Sequence, residues 1–222
     1  MVIVTLCSLQ AGAASRIFVM LRTFLVILAV LSLAPIGASA HAQGALETAA
    51  DAASRFGPVV GQAAPELTVT EAGGAPRTLD SLMGEEGVVL YFNRSLDWCP
   101  ICLRQTLELE PYAAAFAEAG WPVAVLTYDD ADTLGQIAER RDLSLTLLSD
   151  AGSRTIDAFG VRDPIYSDPD HLAYGVPYPI TFVIDREGVV VAKFWHEAGL
   201  GDQRGYATRI SAEDVLAAVQ SR

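Results

Sequence analysis

Cysteine is scarce in this chain, with three residues among 222. A small exported domain that is held together by disulfides needs several cysteine pairs, so a disulfide framework is excluded. Cys7 lies in an N-terminal segment that we expect to be removed. The remaining pair, Cys99 and Cys102, is separated by two residues. This spacing indicates a redox-active or metal-binding pair.

Basic residues are also few, with 15 Lys and Arg against 27 Asp and Glu, and the formal charge is −12. All the acidic residues follow Ala42, whereas Arg16 and Arg22 precede it. Such a charge argues against nucleic acid or an anionic lipid surface as a partner, because both repel a strongly acidic protein.

Residues 1–42 have the features of a signal peptide. A short basic stretch at 20–22 precedes an apolar run at 23–33, and small residues at 38–42 offer two cleavage sites. We therefore expect translation to start at Met20 and the product to be exported to the periplasm or secreted. An uncleaved membrane anchor is the alternative, although the apolar run is short for a span. After cleavage no stable membrane association is expected.

The rest of the chain divides into an Ala-rich extension at 43–60, either a helix or a linker, and one domain at 61–222. This length is sufficient for a sizeable hydrophobic core. No internal repeat or second domain is evident.

The order of elements indicates the fold class. Apolar periodicity and turn residues predict, in chain order, a strand at 87–93, a helix at 100–120 interrupted at Pro111, a strand at 123–128, a helix at 131–141, a strand at 143–148, a helix at 153–159, a loop at 161–179, a hairpin at 180–194 and a helix at 211–220. Alternating strands and helices followed by a hairpin predict an α/β, thioredoxin-like fold, with a central mixed β-sheet flanked by helices.

The cysteine pair lies where the first buried strand gives way to a helix. A helix N-terminus stabilises a thiolate through its free N–H groups and dipole. We therefore expect Cys99 to be the exposed attacking thiol, with a lowered pKa, and Cys102 to close the disulfide one turn later. A buried inert pair, or half of a zinc site, is the alternative.

Two segments carry a resemblance to a known family. The run from Tyr91 to Cys102, which contains Trp-Cys-Pro-Ile-Cys, and the run Tyr178–Asp185 resemble the redoxins, the alkyl hydroperoxide reductase/thiol-specific antioxidant (AhpC/TSA) branch of the thioredoxin superfamily. The likeness spans roughly 61–220. It implies that Pro179 is cis and faces the cysteine pair, so that the Tyr178 backbone can pair with a substrate segment. Trp98 either covers the disulfide and shapes the docking surface or packs on the sheet edge.

The resemblance leaves two enzymatic hypotheses. The first is an exported thiol-disulfide oxidoreductase that uses the cysteine pair and a separate electron donor. The second is a peroxiredoxin-type thiol peroxidase acting on hydroperoxides, with Cys102 peroxidatic and Cys99 resolving. The peroxiredoxin motif P-x-x-x-T/S-x-x-C places its cysteine at Cys102, but Ser95 replaces the proline and Cys99 the threonine. The family's peroxide-binding arginine is replaced by Pro179, with Arg186 nearby in sequence.

Charged and polar residues flank the pair. Arg94 and Asp97 are possible modulators of the thiols, but we expect both to be solvated loop charges. Thioredoxins often carry an acidic residue six positions before the first cysteine, as the acceptor of the thiol proton. This chain has Asn93 there, so the sequence does not identify a proton acceptor.

A third hypothesis is a non-enzymatic copper or zinc carrier that uses the two cysteines with His171 or His196. We expect both histidines to be ordinary surface residues and expect no cofactor. The predicted partners are protein or small-molecule disulfides and thiols, or hydroperoxides, together with an electron donor.

Overall fold

The computed structural model describes residues 56–222. The predicted signal peptide, the start at Met20 and most of the extension lie outside the described residues, so export stays a prediction. Within residues 56–222, no helix has both the length and the apolar character needed to cross a membrane.

The core of the domain is a seven-stranded mixed sheet in the order β2-β1-β5-β4-β3-β6-β7. Its strands are β1 Thr68–Glu71, β2 Pro76–Thr78, β3 Gly87–Phe92, β4 Val123–Thr127, β5 Thr146–Ser149, β6 Ile180–Asp185 and β7 Val190–Trp195. The three central strands β3, β4 and β5 run parallel, and the remaining neighbours pair antiparallel. This arrangement confirms the predicted α/β class and mixed sheet.

Six α-helices accompany the sheet in the described part of the chain. They are α1 Leu79–Leu82, α2 Pro100–Leu109, α3 Ala113–Glu118, α4 Ala131–Arg141, α5 Arg154–Ala158 and α6 Ala212–Gln220, with 3-10 turns at Glu110–Tyr112, Glu197–Gly199 and Gly205–Ala207. The predicted interruption at Pro111 is confirmed, because that residue lies in the 3-10 turn between α2 and α3. A proline lacks the N–H that a continuous helix needs there.

Strand β3 places the cysteine motif. All six of its residues are buried, which is typical of a strand covered on both faces of a sheet. Leu90 and Phe92 belong to one apolar core, whereas Val89 and Tyr91 belong to the other, which also contains the cysteine pair. The chain leaves β3 at residue 93 and enters α2 at residue 100, so the pair lies at the carboxyl end of a central strand.

Asp130 and Ser211 cap α4 and α6 by accepting from the backbone N–H groups of Thr133 and Asp214. Ser153 is the residue before α5, but its side chain does not cap that helix.

The Ser153 backbone is left-handed, with φ 61°, and its hydroxyl donates to the carbonyl of Gly175 at 2.8 Å. The carboxylate of Asp150 accepts instead from the N–H groups of Thr155 and Ile156 at 3.1 and 2.8 Å. The carboxylate therefore satisfies free N–H groups at the start of α5, and the Ser153 hydroxyl holds the loop 161–179 against this helix.

Candidate active site

The two cysteines lie in the first turn of α2. Cys99 is the N-cap residue, Pro100 is the first helical residue and Cys102 follows within that turn. Both cysteines are free thiols, and their Sγ atoms lie 2.8 Å apart. This distance is longer than the roughly 2.05 Å of a disulfide bond, and it brings the two sulfurs into direct contact. A proton on one sulfur therefore stabilises negative charge on the other.

The thiolate is favoured at Cys102. Burial acts to raise the pKa of the Cys102 thiol, but four contacts together lower it to about 6. These contacts are the hydrogen bond with Cys99, the positive charge of Arg209, and backbone N–H groups of Ser95 and Arg94. Opposite charge and hydrogen bonds to the charged form are the two effects that lower a thiol pKa.

The expectation that Cys99 is exposed and has a lowered pKa is wrong. Cys99 is only 3 % exposed, and Cys102 is 0 % exposed, so neither sulfur projects from the helix tip. The pKa of Cys99 is raised, because its hydrogen bond to Cys102 and its burial both favour the protonated form. The groups that favour a thiolate at Cys102 are therefore Cys99 and residues outside the helix.

Arg209 is the residue that sequence reasoning missed. Its Nη2 lies 3.7 Å from Cys102 Sγ, and its Nε donates to Gln105 Oε1 at 2.9 Å. It belongs to the stretch 196–211 between β7 and α6, which we call the Arg209 segment. Arg209 is 107 residues from Cys102 in sequence, and its segment carries no motif. No sequence pattern therefore linked Arg209 to Cys102.

Arg186, which is close to Pro179 in sequence, lies away from the cysteine pair. It occupies the β6–β7 turn and donates to the carbonyl of Gly84 at 3.1 Å. A cavity of about 10 Å³, the size of one water molecule, is lined by Gln105, Pro179 and Arg209 among others. Arg209 thus reaches the neighbourhood of Pro179 from a different part of the chain.

The prediction that Pro179 is cis is wrong, since residues 56–222 contain no cis peptide bond. The Tyr178 N–H donates to the carbonyl of Val161 at 2.8 Å, and the Tyr178 hydroxyl donates to the carbonyl of His196 at 2.8 Å. Tyr178 is buried. The N–H that was expected to meet a substrate therefore closes the loop 161–179 instead, and the tyrosine secures the start of the Arg209 segment.

Arg94 was expected to be solvated, which is also wrong. Its side chain is 2 % exposed, and its guanidinium lies over three aromatic rings. The distances from Arg94 Cζ to the ring centroids are 5.2 Å for Trp98, 4.7 Å for Tyr166 and 4.0 Å for Tyr206. Cation–π contacts of this kind compensate part of the cost of burying the charge. Asp97, by contrast, is exposed as expected.

Trp98 links the motif to the long loop. Its ring is half-buried against the core that holds the cysteines, and its Nε1 donates to the hydroxyl of Tyr128 at 2.8 Å. That hydroxyl donates to the carbonyl of Leu172 at 2.9 Å. Trp98 is therefore fixed by the loop 161–179, with part of its ring left accessible beside the motif.

A buried carboxylate holds the turn before the cysteines. Asp129, just after β4, accepts from the N–H of Leu96 at 2.7 Å and from the hydroxyl of Thr127 at 3.0 Å. Burial raises the pKa of Asp129, while hydrogen bonds from Ser95, Leu96 and Thr127 act to lower it.

Asn93, in the position of the thioredoxin acid, donates to the carbonyl of Cys102 at 3.5 Å. An amide there cannot accept a proton from either thiol.

An open pocket adjoins the site. It has a volume of about 480 Å³ and lies between α2 and the Arg209 segment. Ile101, Gln105, Tyr112, Arg209 and Ile210 are among its lining residues. Because Arg209 lines the pocket and also contacts Cys102, a small molecule in this pocket reaches the group that stabilises the thiolate.

The histidines are not brought into a metal site. Within residues 56–222, no cluster of three or more His, Cys, Asp or Glu side chains is arranged to hold an ion. His171 Nδ1 accepts from the Ala173 N–H at 3.0 Å, and the carbonyl of His196 accepts from Tyr178. The structure gives no support to the metal-carrier hypothesis.

Comparison with known proteins decides the family. A profile of the AhpC/TSA family matches residues 60–193, more than half of the chain. The chain belongs to the AhpC/TSA family. This confirms the resemblance drawn from the two motifs.

The relatives and solved structures agree with this assignment. Chloroplastic peroxiredoxin Q of Arabidopsis thaliana is 34 % identical over 130 residues, which cover 59 % of this chain and 56 % of the relative. The thiol-disulfide oxidoreductase ResA of Bacillus cereus is 26 % identical over 153 residues, covering 68 % and 79 %. The crystal structure of peroxidoxin BcpB from Mycobacterium tuberculosis superposes with a TM-score of 0.58 at 23 % identity, over 75 % of this chain and 97 % of that one. The last likeness confirms the thioredoxin-like fold of this AhpC/TSA protein.

Proposed function

We propose that this AhpC/TSA protein is a thiol peroxidase in which Cys102 reduces a hydroperoxide and Cys99 resolves the product. The observation that carries the proposal is the buried Cys102 sulfur with the Arg209 guanidinium 3.7 Å away, a charge that lowers the pKa of this thiol. A thiolate is the nucleophile, and an adjacent fixed cation stabilises the negative charge of the reacting oxygens. The likeness to peroxiredoxin Q supports the same choice.

The chemistry follows from the two thiols. The Cys102 thiolate attacks the terminal peroxide oxygen, the O–O bond breaks, and the alcohol or water leaves after taking up a proton. Cys102 is then a sulfenic acid, oxidised by two electrons. Cys99 Sγ, 2.8 Å away in the reduced protein, attacks that sulfur and forms a disulfide, with release of water. A separate thiol donor returns the pair to its reduced form, at the cost of its own oxidation.

Each departure from the peroxiredoxin motif has a counterpart in this site. Ser95 stands in the place of the proline, and its backbone N–H helps to lower the pKa of Cys102. Cys99, in the place of the threonine, supplies the resolving thiol within the same helical turn. Arg209 supplies the guanidinium that Pro179 cannot. The second sequence hypothesis therefore fits the geometry better than the first.

Stopped-flow kinetics of the reduced full-length protein with hydrogen peroxide and with an organic hydroperoxide tests the proposal. We expect oxidation far faster than that of an ordinary thiol, and mass spectrometry of the Cys99→Ser variant should locate the sulfenic acid on Cys102. The Cys102→Ser variant should lose the fast phase. A rate no higher than that of a free thiolate, or a sulfenic acid formed first on Cys99, would overturn the proposal.

A thiol-disulfide oxidoreductase is the second candidate function. It is favoured by the two sulfurs in one helical turn, ready to exchange with a partner disulfide, and by the likeness to ResA. In this case the reduced protein would turn over a model disulfide such as insulin while reacting slowly with peroxide. Loss of that turnover in Cys99→Ser, with a trapped mixed disulfide in Cys102→Ser, would support the exchange reaction.

A further inference from the structure

Arg94 is the most unusual charged residue outside the proposed reaction. It is almost completely buried, and its Nε has no hydrogen-bond partner among the described residues. A guanidinium removed from water is costly unless other groups compensate it, and here aromatic rings surround it. The rings come from three places: Trp98 from the cysteine turn, Tyr166 from the loop 161–179, and Tyr206 from the Arg209 segment.

Tyr206 makes the shortest of these contacts, 4.0 Å from the Arg94 Cζ atom to the ring centroid. It lies in the 3-10 turn Gly205–Ala207, and Arg209 follows three residues later. No strand or α-helix includes the Arg209 segment, so its position depends on individual contacts. One of these contacts, between Tyr178 and His196, lies at its start, 13 residues before Arg209.

Arg94 itself is fixed beside the cysteine pair. Its backbone N–H helps to lower the pKa of Cys102, and it directly follows Asn93, whose side-chain amide donates to the carbonyl of Cys102 at 3.5 Å. The contact between Arg94 and Tyr206 therefore joins the turn that carries the reacting thiol to the segment that carries its counter-charge. We propose that Tyr206, stacked on Arg94, is a positioning residue that holds Arg209 beside Cys102.

The inference rests on the proposed function only in treating Cys102 as the reacting thiolate. Gln105 has a different task, because its Oε1 accepts from Arg209 Nε and so orients the guanidinium once the segment is in place. Two titratable or charged groups act directly on the ionisation of Cys102, namely Cys99 and Arg209, and the charge of Arg94 acts in turn on both of them. Tyr206 acts on this set only through the placement of Arg209.

Titration of the Cys102 thiolate by ultraviolet absorbance tests the inference. In a Cys7→Ser/Cys99→Ser background, Cys102 is the only cysteine of the full chain. Tyr206→Ala should raise the thiolate pKa by roughly one unit, the lower end of the effect of a nearby opposite charge. Tyr206→Phe keeps the ring and should restore the parent value.

Tyr166→Ala is the matched control. It removes a second ring from the same guanidinium but belongs to the loop 161–179, which does not carry Arg209, so the pKa should stay near that of the parent. In an Arg209→Met background, Tyr206→Ala should give no additional shift. If Tyr206→Ala is unstable by circular dichroism, Tyr206→Leu, which retains apolar packing, replaces it.

Three results would overturn the inference: an unchanged pKa in Tyr206→Ala and Tyr206→Leu, an equal rise in Tyr166→Ala, or a rise that persists without Arg209. None of these measurements uses peroxide. A slow reaction with peroxide combined with the expected Tyr206 shift would therefore overturn the proposed function and leave the positioning role intact.

Discussion

Replacing Arg209 by methionine tests the electrostatics of the site. Methionine keeps an unbranched apolar stem but removes the charge that lies 3.7 Å from Cys102 Sγ. An opposite charge within about 4–6 Å changes a pKa by roughly 1–3 units, so the Cys102 pKa should rise from about 6 to between roughly 7 and 9. The thiolate fraction at pH 7 then falls from about nine-tenths to between about one half and one-hundredth.

The assay is the second-order rate of peroxide reduction measured from pH 5 to pH 9.5. At pH 7 the rate of Arg209→Met should be lower by about 2- to 100-fold, in proportion to the thiolate fraction. At the alkaline end both proteins approach full ionisation, so the remaining difference measures direct contact between Arg209 and the peroxide. The control is Arg204→Met, which removes an exposed charge from the same segment. A midpoint that stays near 6 in Arg209→Met would refute the electrostatic account.

Three further predictions follow from the same site. In the parent protein the reactive thiolate is lost as pH falls through the lowered pKa of Cys102, so the peroxide rate should rise with a midpoint near pH 6 and level off above about pH 7. A midpoint near the ordinary value for cysteine would contradict this. Asp129→Ala leaves the buried Leu96 N–H without its acceptor, so it should lower the free energy of unfolding by roughly 1–3 kcal/mol, as measured by urea denaturation. An unchanged denaturation midpoint would show that water replaces the carboxylate. Gly205→Ala places a Cβ against the Gly199 carbonyl within the Arg209 segment, so it should both lower the melting temperature and raise the Cys102 pKa. A variant with the melting temperature and the Cys102 pKa of the parent would show that the Arg209 segment adapts to the added methyl group.

The sequence was most informative where one local rule decided the structure. The run of apolar residues in β3 can only be accommodated in a strand buried on both faces, and the structure has it at the centre of the sheet. Pro111 divides the predicted helix because its ring and missing N–H act locally. The hairpin β6–β7 likewise follows from two apolar runs around a short turn.

The chemistry of the site was harder to predict from the sequence, because it depends on residues that are far apart in the chain. Spacing placed both cysteines in one helical turn, but it could not tell which thiol ionises, because that choice depends on Arg209 from a segment without a strand or an α-helix. From the sequence alone, Arg94 was expected to be a solvated loop charge. Its burial depends on Tyr166 and Tyr206, which are each more than 70 residues away. The geometry of Pro179 was inferred from family likeness alone.

Under the proposed peroxidase reaction, the contact between the two sulfurs limits how far peroxide can damage the protein. In a peroxidase whose resolving thiol is remote, the oxidised cysteine waits for a conformational change, and a second peroxide can convert it irreversibly to the sulfinic acid. Here the partner sulfur lies 2.8 Å away in the same helical turn, so ring closure competes with that second oxidation from the start. Activity should therefore persist through repeated exposure to a large peroxide excess, with the supply of reducing thiol setting the limit.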